Sequence, residues 1–204
     1  MELVLATRST HKMQEIRKIL EVVSDLRVLD LAEAGVRYDP AEKDLEPYDT
    51  FEENAASKAS YFHKITGLPT VADDSGIEID LLGGAPGVRS KRFAPDRGLA
   101  NFALDQANNE HLLASLGDAP PANRTARYVC VAVLSRGDPD DVTIVRGEAP
   151  GRILNAPQGS GGFGYDPLFF DEDLGKTFAE IAPEEKNARS HRGKAFRALA
   201  ERLS

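Results

Sequence analysis

Tryptophan is absent from this sequence and cysteine occurs once, and both scarcities narrow what the chain can be. The single Cys130 cannot form an internal disulfide, and no Cys/His cluster has zinc-ligand spacing. Flanked by Tyr128, Val129 and Val131, Cys130 reads as a core strand residue. Cations are in deficit: 25 Lys+Arg against 33 Asp+Glu leave a net charge of -8. That balance argues against nucleic acid or anionic lipid as a partner, while leaving room for a small charged ligand in a local cationic site. No apolar stretch approaches a membrane span. The run at residues 3–6 is shorter than a signal-peptide core and is followed at once by Thr7-Arg8-Ser9. The expected location is therefore the cytoplasm. Internal repeats, low-complexity tracts, a Walker A ending and a Ser nucleophile elbow are also missing.

What is present is ordinary globular material, 41% hydrophobic and 28% charged over 204 residues, which predicts one domain over residues 1–204. Residues 2–6 read as a short buried strand. Ser9 or Thr10 could cap a helix whose apolar positions Met13, Ile16, Ile19, Leu20 and Val23 follow the helical period. Residues 26–31 form a second strand candidate, and the Pro- and charge-rich stretch 38–49 reads as a loop. Thr50 and Glu53 make a capping box for a helix carrying Phe51, Ala55, Ala59 and Phe62, which stops at Gly67 and Pro69. Residues 70–72 and 77–82 read as two strands interrupted by an acidic turn, Asp73-Asp74-Ser75-Gly76. Residues 83–87 form a tight turn. Leu99, Phe102, Leu112, Leu113 and Leu116 mark a helix between Asp96 and Gly117, in which His111 sits as His63 sits in the preceding helix, both structural or solvated. Residues 124–135 and 141–147 alternate like a long antiparallel pair joined at Gly137-Asp138-Pro139. A glycine-dense loop at 159–164 leads to an apolar strand at 168–170. Pro183 opens a helical C-terminal region whose Phe196, Leu199, Ala200 and Leu203 recur at helical spacing. The mixture predicts an α/β protein, a mixed sheet with helices packed on it.

Three constellations could carry chemistry. Adjacent aspartates between apolar strands are costly to bury as anions without a cation, so Asp73 and Asp74 read either as a metal site or as a solvated turn; Glu46 and Glu53 lie near in sequence, with Glu53 assigned to its cap. The loop from Thr7 through Arg8, Ser9, Thr10 and His11 to Lys12 sets hydroxyls, a helix start and cations where a phosphate could bind, or is simply a helix cap. Gly159, Gly161 and Gly164 satisfy G-x-G-x-x-G, but no strand precedes them and Asp166-Pro167 forbids an immediate helix, which excludes a Rossmann site. In that loop Phe163-Gly164-Tyr165-Asp166 could stack on a base and accept its N–H, or could be a core aromatic cluster. Lys186 and the run Ser190-His191-Arg192 add donors that could equally be an exposed helix face.

In this order, residues 6–12, 50–59 (TFEENAASKA), 71–92 (VADDSGIEIDLLGGAPGVRSKR), 161–169 (GGFGYDPLF) and 185–193 (EKNARSHRG) resemble the inosine triphosphate pyrophosphatase, or Ham1-like, family over nearly the whole chain. The resemblance implies an elongated mixed β-sheet flanked by helices, with two lobes and an active-site cleft between them. It implies a homodimer that hydrolyses ITP, dITP and XTP to monophosphate and pyrophosphate with Mg²⁺. By the same resemblance Asp74 is general base and metal ligand, with Asp73 and Glu46 as further ligands. Lys12 and Lys58 contact phosphate, Ser75 contacts substrate, and Phe163 to Asp166, Lys186, His191 and Arg192 form the base pocket. The first loop departs from the family's Thr-Gly-Asn at Arg8 and Ser9, and Glu46-Pro47-Tyr48-Asp49 replaces the common Glu-Thr-Gly. A Maf-like pyrophosphatase acting on pyrimidine or modified nucleotides and a non-catalytic nucleotide-binding module are the rival readings.

Overall fold

The structure is a computed structural model that describes residues 1–138 and 140–203. Seven strands, β1 (Glu2–Leu5), β2 (Arg27–Leu29), β3 (Thr70–Ile79), β4 (Thr125–Ser135), β5 (Val142–Ile153), β6 (Phe169–Asp171) and β7 (Lys176–Thr177), form one sheet in the order β2-β1-β3-β4-β5-β6-β7. β1 runs parallel to both β2 and β3, whereas β5/β6 and β6/β7 are antiparallel, so the sheet is mixed as the sequence predicts. Among the described residues five helices accompany it: α1 (Thr10–Leu20), α2 (Phe51–Thr66), α3 (Asn101–Leu116), α4 (Pro183–Arg189) and α5 (His191–Leu203). No helix among the described residues is long and apolar enough to cross a membrane.

The chain divides into two compact units. The first takes in Met1–Asp74, Cys130–Gly147 and α5. Its core joins Leu3 and Leu5 of β1, Ile16 and Leu20 of α1, and Cys130, Ala132 and Leu134 of β4 to Phe196 and Leu199 of α5. The second takes in Ser75–Val129 and Glu148–Ser190, with its own core of Ile77, Ile79, Leu112, Tyr128, Tyr165, Leu168, Phe169 and Phe178.

Helix starts obey local chemistry. The Ser9 hydroxyl accepts from the Lys12 N–H at the head of α1. The Thr50 hydroxyl accepts from the Glu53 N–H at the head of α2, and the Glu53 carboxylate receives the Thr50 hydroxyl at 2.6 Å. Gly67, with φ near 67°, ends α2 as a left-handed cap.

Several expectations need correction. Residues 70–79 form one continuous strand: Asp73 to Gly76 are not a turn between two strands, because the flanking apolar residues pair on and carry the acidic stretch in extended form. Residues 80–82, read as strand, form a 3₁₀ turn closed by Gly83. The stretch 38–49 contains another 3₁₀ turn, Pro40–Asp44, capped by Asp39 with Glu42 reaching back. Leu99, read into the third helix, lies before α3; Phe102 is in its first turn as read and is 73% exposed, and the buried apolar face begins further along, at Leu112 and Leu116. β5 runs past Gly147 and Pro150 to Ile153, and β7 is a two-residue strand with no sequence signal. β4 and β5 are neighbours in the sheet as expected, while Pro139 of their connection lies outside the described residues.

Candidate active site

β1 and β3 pair in parallel with Leu5 opposite Val71, and the Ala6 N–H donates to the Val71 carbonyl at 2.8 Å. The loop from Thr7 to Lys12, which continues β1, and Asp73-Asp74 along β3 therefore lie at the same end of the sheet. The carboxyl end of parallel strands is where α/β sheets commonly bind ligands. Successive side chains of a strand leave on opposite faces, which separates the two aspartates. Asp73 meets Lys12 at 2.9 Å and Arg192 Nε at 3.5 Å. Asp74 accepts from Asn54 Nδ2 at 3.1 Å.

That difference in partners separates their acidities. Burial alone would raise the Asp73 carboxyl, but Lys12, Arg192 and Lys58 outweigh it and hold the group well below the usual carboxylate range. Burial also raises Asp74; there the opposing pull of Lys58 and Lys12 is insufficient, Glu46 adds to the rise, and the carboxyl ends above its ordinary value. One carboxylate is thus fixed as an anion while its neighbour is made more basic, the arrangement that separates an electrostatic anchor from a proton acceptor.

α2 supplies the surrounding groups. Asn54 and Lys58 are four residues apart and share a helix face. Lys58 Nζ donates to the Asp73 carbonyl at 2.6 Å and is ion-paired with Glu46. Burial would lower the Lys58 pKa, but Glu46, Asp73 and Asp74 raise it, so the ammonium is retained. Glu46 is pushed up by burial and pulled further down by Lys58. Asp73 Oδ1 is buried without a hydrogen-bond partner among the described residues. No group of three or more His, Cys, Asp or Glu side chains among them converges on a common point.

In the first loop, the Thr7 hydroxyl accepts from the Ser9 N–H at 3.2 Å, and Thr10 and His11 open α1 with exposed side chains. Arg8 forks onto Glu42, at 3.0 and 2.7 Å, and lies over the Tyr38 ring. Arg192 is 2% exposed and bound to Glu15 at 2.6 Å, which with its Asp73 contact makes it part of the buried charge cluster of the first unit. His191 is buried beside it at the start of α5.

The second unit holds the aromatic loop. Asp166 is its organiser, accepting from the Phe163 N–H at 2.8 Å, from Lys186 Nζ at 2.7 Å and from the Tyr128 hydroxyl at 3.3 Å. Lys186 Nζ also lies 4.6 Å from the centre of the Phe163 ring. Tyr165 faces inward, donating its hydroxyl to the Ser90 carbonyl at 2.7 Å, and burial raises its pKa. The two aromatics therefore divide: Tyr165 belongs to the core, whereas Phe163 is only half-buried. Ser75 is half-buried, and the next residue must be glycine, since a Cβ at Gly76 would run into the Gly87 carbonyl and lie 2.5 Å from the Ser90 hydroxyl. Ser90 secures that approach by accepting from the Ile77 N–H at 2.8 Å.

The Ham1 family model matches residues 3–202. The chain belongs to the Ham1 family. Among curated relatives, the dITP/XTP pyrophosphatase of Escherichia coli O157:H7 is 44% identical over 203 residues, covering 99% of this chain and 98% of that one. The Streptomyces coelicolor protein of the same name is 43% identical, covering 97% and 94%. Among solved structures, a HAM1 protein from Coxiella burnetii aligns with a TM-score of 0.85 at 37% identity, covering 100% of this chain and 98% of its own. The Staphylococcus aureus Ham1 protein aligns at 0.82 with 34% identity, covering 100% and 98%. The Ham1 fold is thus the fold of this chain.

Sequence reasoning singled out Asp73, Asp74, Lys12, Lys58 and Glu46 for phosphate and metal and Arg192 for the base pocket, and the structure brings Arg192 to Asp73 in the same cluster as the other five. It missed Asn54, whose spacing to Lys58 was the available signal, and Glu15, for which the sequence offers none.

Proposed function

We propose that this Ham1-family chain hydrolyses inosine, deoxyinosine and xanthosine triphosphates to the monophosphate and pyrophosphate. The observation that carries the proposal is the divided aspartate pair, Asp73 held by Lys12 and Arg192 as a fixed anion, and Asp74 made more basic by burial while it accepts from Asn54. Asp74 takes a proton from water as its oxygen bonds to the α-phosphorus. The bond from that phosphorus to the oxygen bridging to the β-phosphate breaks, and pyrophosphate leaves with the electron pair. Lys12 and Lys58 stabilise charge on the phosphate oxygens, a contribution of position and electrostatics.

The donor set fits Mg²⁺, which takes one or two protein carboxylates and leaves its remaining positions to water and phosphate. The Asp74 carboxylate would hold it, and Glu46 would join by exchanging Lys58 for the cation, while Asp73, on the opposite face of the strand, keeps Lys12 and Arg192. When bound, the ion supplies charge neutralisation on phosphate oxygens and acidifies the attacking water.

For the base, Phe163 offers a stacking face and Lys186 a donor suited to a 6-oxo group. Adenine's amino group would leave that donor unpaired, and such mismatches discriminate strongly. Arg192 acts on Asp73 in this scheme, holding its charge. The enzyme is proposed to work in the cytoplasm as a homodimer, for which exposed Leu81, Leu99 and Phe102 offer apolar surface and light scattering gives the test.

Pyrophosphate release from ITP, dITP, XTP, GTP, ATP and UTP with Mg²⁺ tests the assignment. Preference for the first three is expected. A preference for UTP would overturn the substrate class, and tight binding without turnover would overturn the enzyme itself.

A further inference from the structure

We propose that Asp105 and Asn109 of α3 form a two-point clamp on the loop that carries Phe163, setting the ring's position and through it the affinity for the purine base. Both backbone polar groups of Gly164, the residue after Phe163, are held by this one helix. The Gly164 N–H donates to Asp105 Oδ2 at 2.9 Å, and the Gly164 carbonyl accepts from Asn109 Nδ2 at 2.9 Å. The clamp is possible because residues four apart lie on the same helix face. Gly164 has φ of 63°, left-handed backbone that glycine adopts freely, so the chain turns sharply as it leaves Phe163. On the entry side, the Phe163 N–H is fixed to Asp166 at 2.8 Å. The backbone that bears the ring is thus secured before and after it.

α3 is a firm reference for this purpose. Leu112 and Leu116 anchor it in the core of the second unit. The adjacent Asn108 pins the segment after the Ser90 turn, donating to the Lys91 carbonyl at 3.2 Å and accepting from the Ala94 N–H at 2.9 Å. A site held by side chains on a regular element keeps tighter geometry than one left to its own loop. The amide of Asn109 itself points to a positional role. Its Oδ1 is buried with no hydrogen-bond partner among the described residues, an arrangement less favourable than an apolar side chain of the same size unless the Nδ2 donor is needed.

The inference rests on the reading that Phe163 receives the base, and the test separates the two. KM and kcat for dITP are measured for Asn109→Leu, Asp105→Ala, Asp105→Asn and Phe163→Ala, together with inhibition by inorganic tripolyphosphate, which has no base. Loss of one clamp bond in Asn109→Leu or Asp105→Ala is expected to raise KM by about threefold to tenfold with kcat changed by less than about twofold. Tripolyphosphate inhibition stays at the wild-type level. Asp105→Asn, which keeps an oxygen for the Gly164 N–H, restores KM, and Asn109→Leu adds nothing further in a Phe163→Ala background. If Phe163→Ala raises KM while neither clamp variant does, the clamp is wrong and the base reading stands. Weakened tripolyphosphate inhibition in step with KM would mean general damage and also overturn the clamp. An unchanged KM in Phe163→Ala would remove the base reading itself.

Discussion

At the scale of single residues, the chemistry depends on two neighbouring aspartates being unlike. Chemically identical side chains one residue apart leave a strand on opposite faces, one toward cations and the other toward a neutral amide. Burial acts on both, so the partners decide the outcome. Asp74→Asn keeps the shape and its contact with Asn54 but removes the proton acceptor. Pyrophosphate release from dITP is expected to fall at least about a hundredfold, within the range general-base removal gives, with the far-ultraviolet spectrum and melting temperature near wild type. Near-normal turnover would show that Asp74 is not the base. The sequence already marked this pair as expensive to bury, because two carboxylates among apolar residues need compensation wherever they fall. Only the family resemblance ranked them, naming Asp74 as base; the pair's own residues could not, since the ranking is set by Lys12, Asn54, Lys58 and Arg192, which arrive from separate parts of the chain.

At the scale of elements, α2 delivers Asn54 and Lys58 to β3, and its start is written in four residues. The Thr50 hydroxyl satisfies the Glu53 N–H, and Thr50 to Ala should cost about 1 kcal/mol, as removal of such caps does. The measurement is the shift in urea midpoint at constant slope; no shift would mean that the cap contributes nothing here. The same residues show why helices were more legible than strands. Caps, helical periods and stop glycines are local, so α1, α2 and the end of α3 could be read directly. β3 was misread as two strands because Asp73, Asp74, Ser75 and Gly76 have low strand propensity individually. Pairing across the sheet overrides that preference, and pairing is not visible in one segment. Leu99, read into α3, lies before it, and Phe102, in the helix as read, is exposed: a stripe of apolar residues marks a core face only where something packs on it.

At the scale of the whole molecule, the buried ionic cluster of the first unit couples stability to pH. Asp73 titrates below its unfolded value of 3.8 and Glu46 below 4.5, so both contribute stability above those values and lose it as pH falls through the folded ones. Asp74, shifted upward, has the opposite sign: its contribution declines as pH rises from 3.8 through its folded value. The net expectation is a fold that weakens below about pH 4. Asp73→Asn should lose about 3–5 kcal/mol at pH 7, because the buried Arg192 keeps Glu15 as an anion but loses Asp73, and the half-buried Lys12 loses its ion-pair partner, and should respond less steeply to acid. Urea unfolding between pH 3 and pH 7 checks both; parallel pH profiles for the two proteins would refute the assignment of this acid dependence to Asp73.

Fold class, the helix caps, the buried character of Cys130 and the order of the motif segments were determined by the sequence itself. Each rests on composition, local hydrogen bonding or side-chain period, which act over a few residues. Tertiary structure alone decided that the acidic stretch is strand, that Arg192 serves Asp73, that Tyr165 is core while Phe163 is not, and that α3 holds Gly164. These are contacts between residues far apart in the chain, where a side chain's role is fixed by what folding places against it.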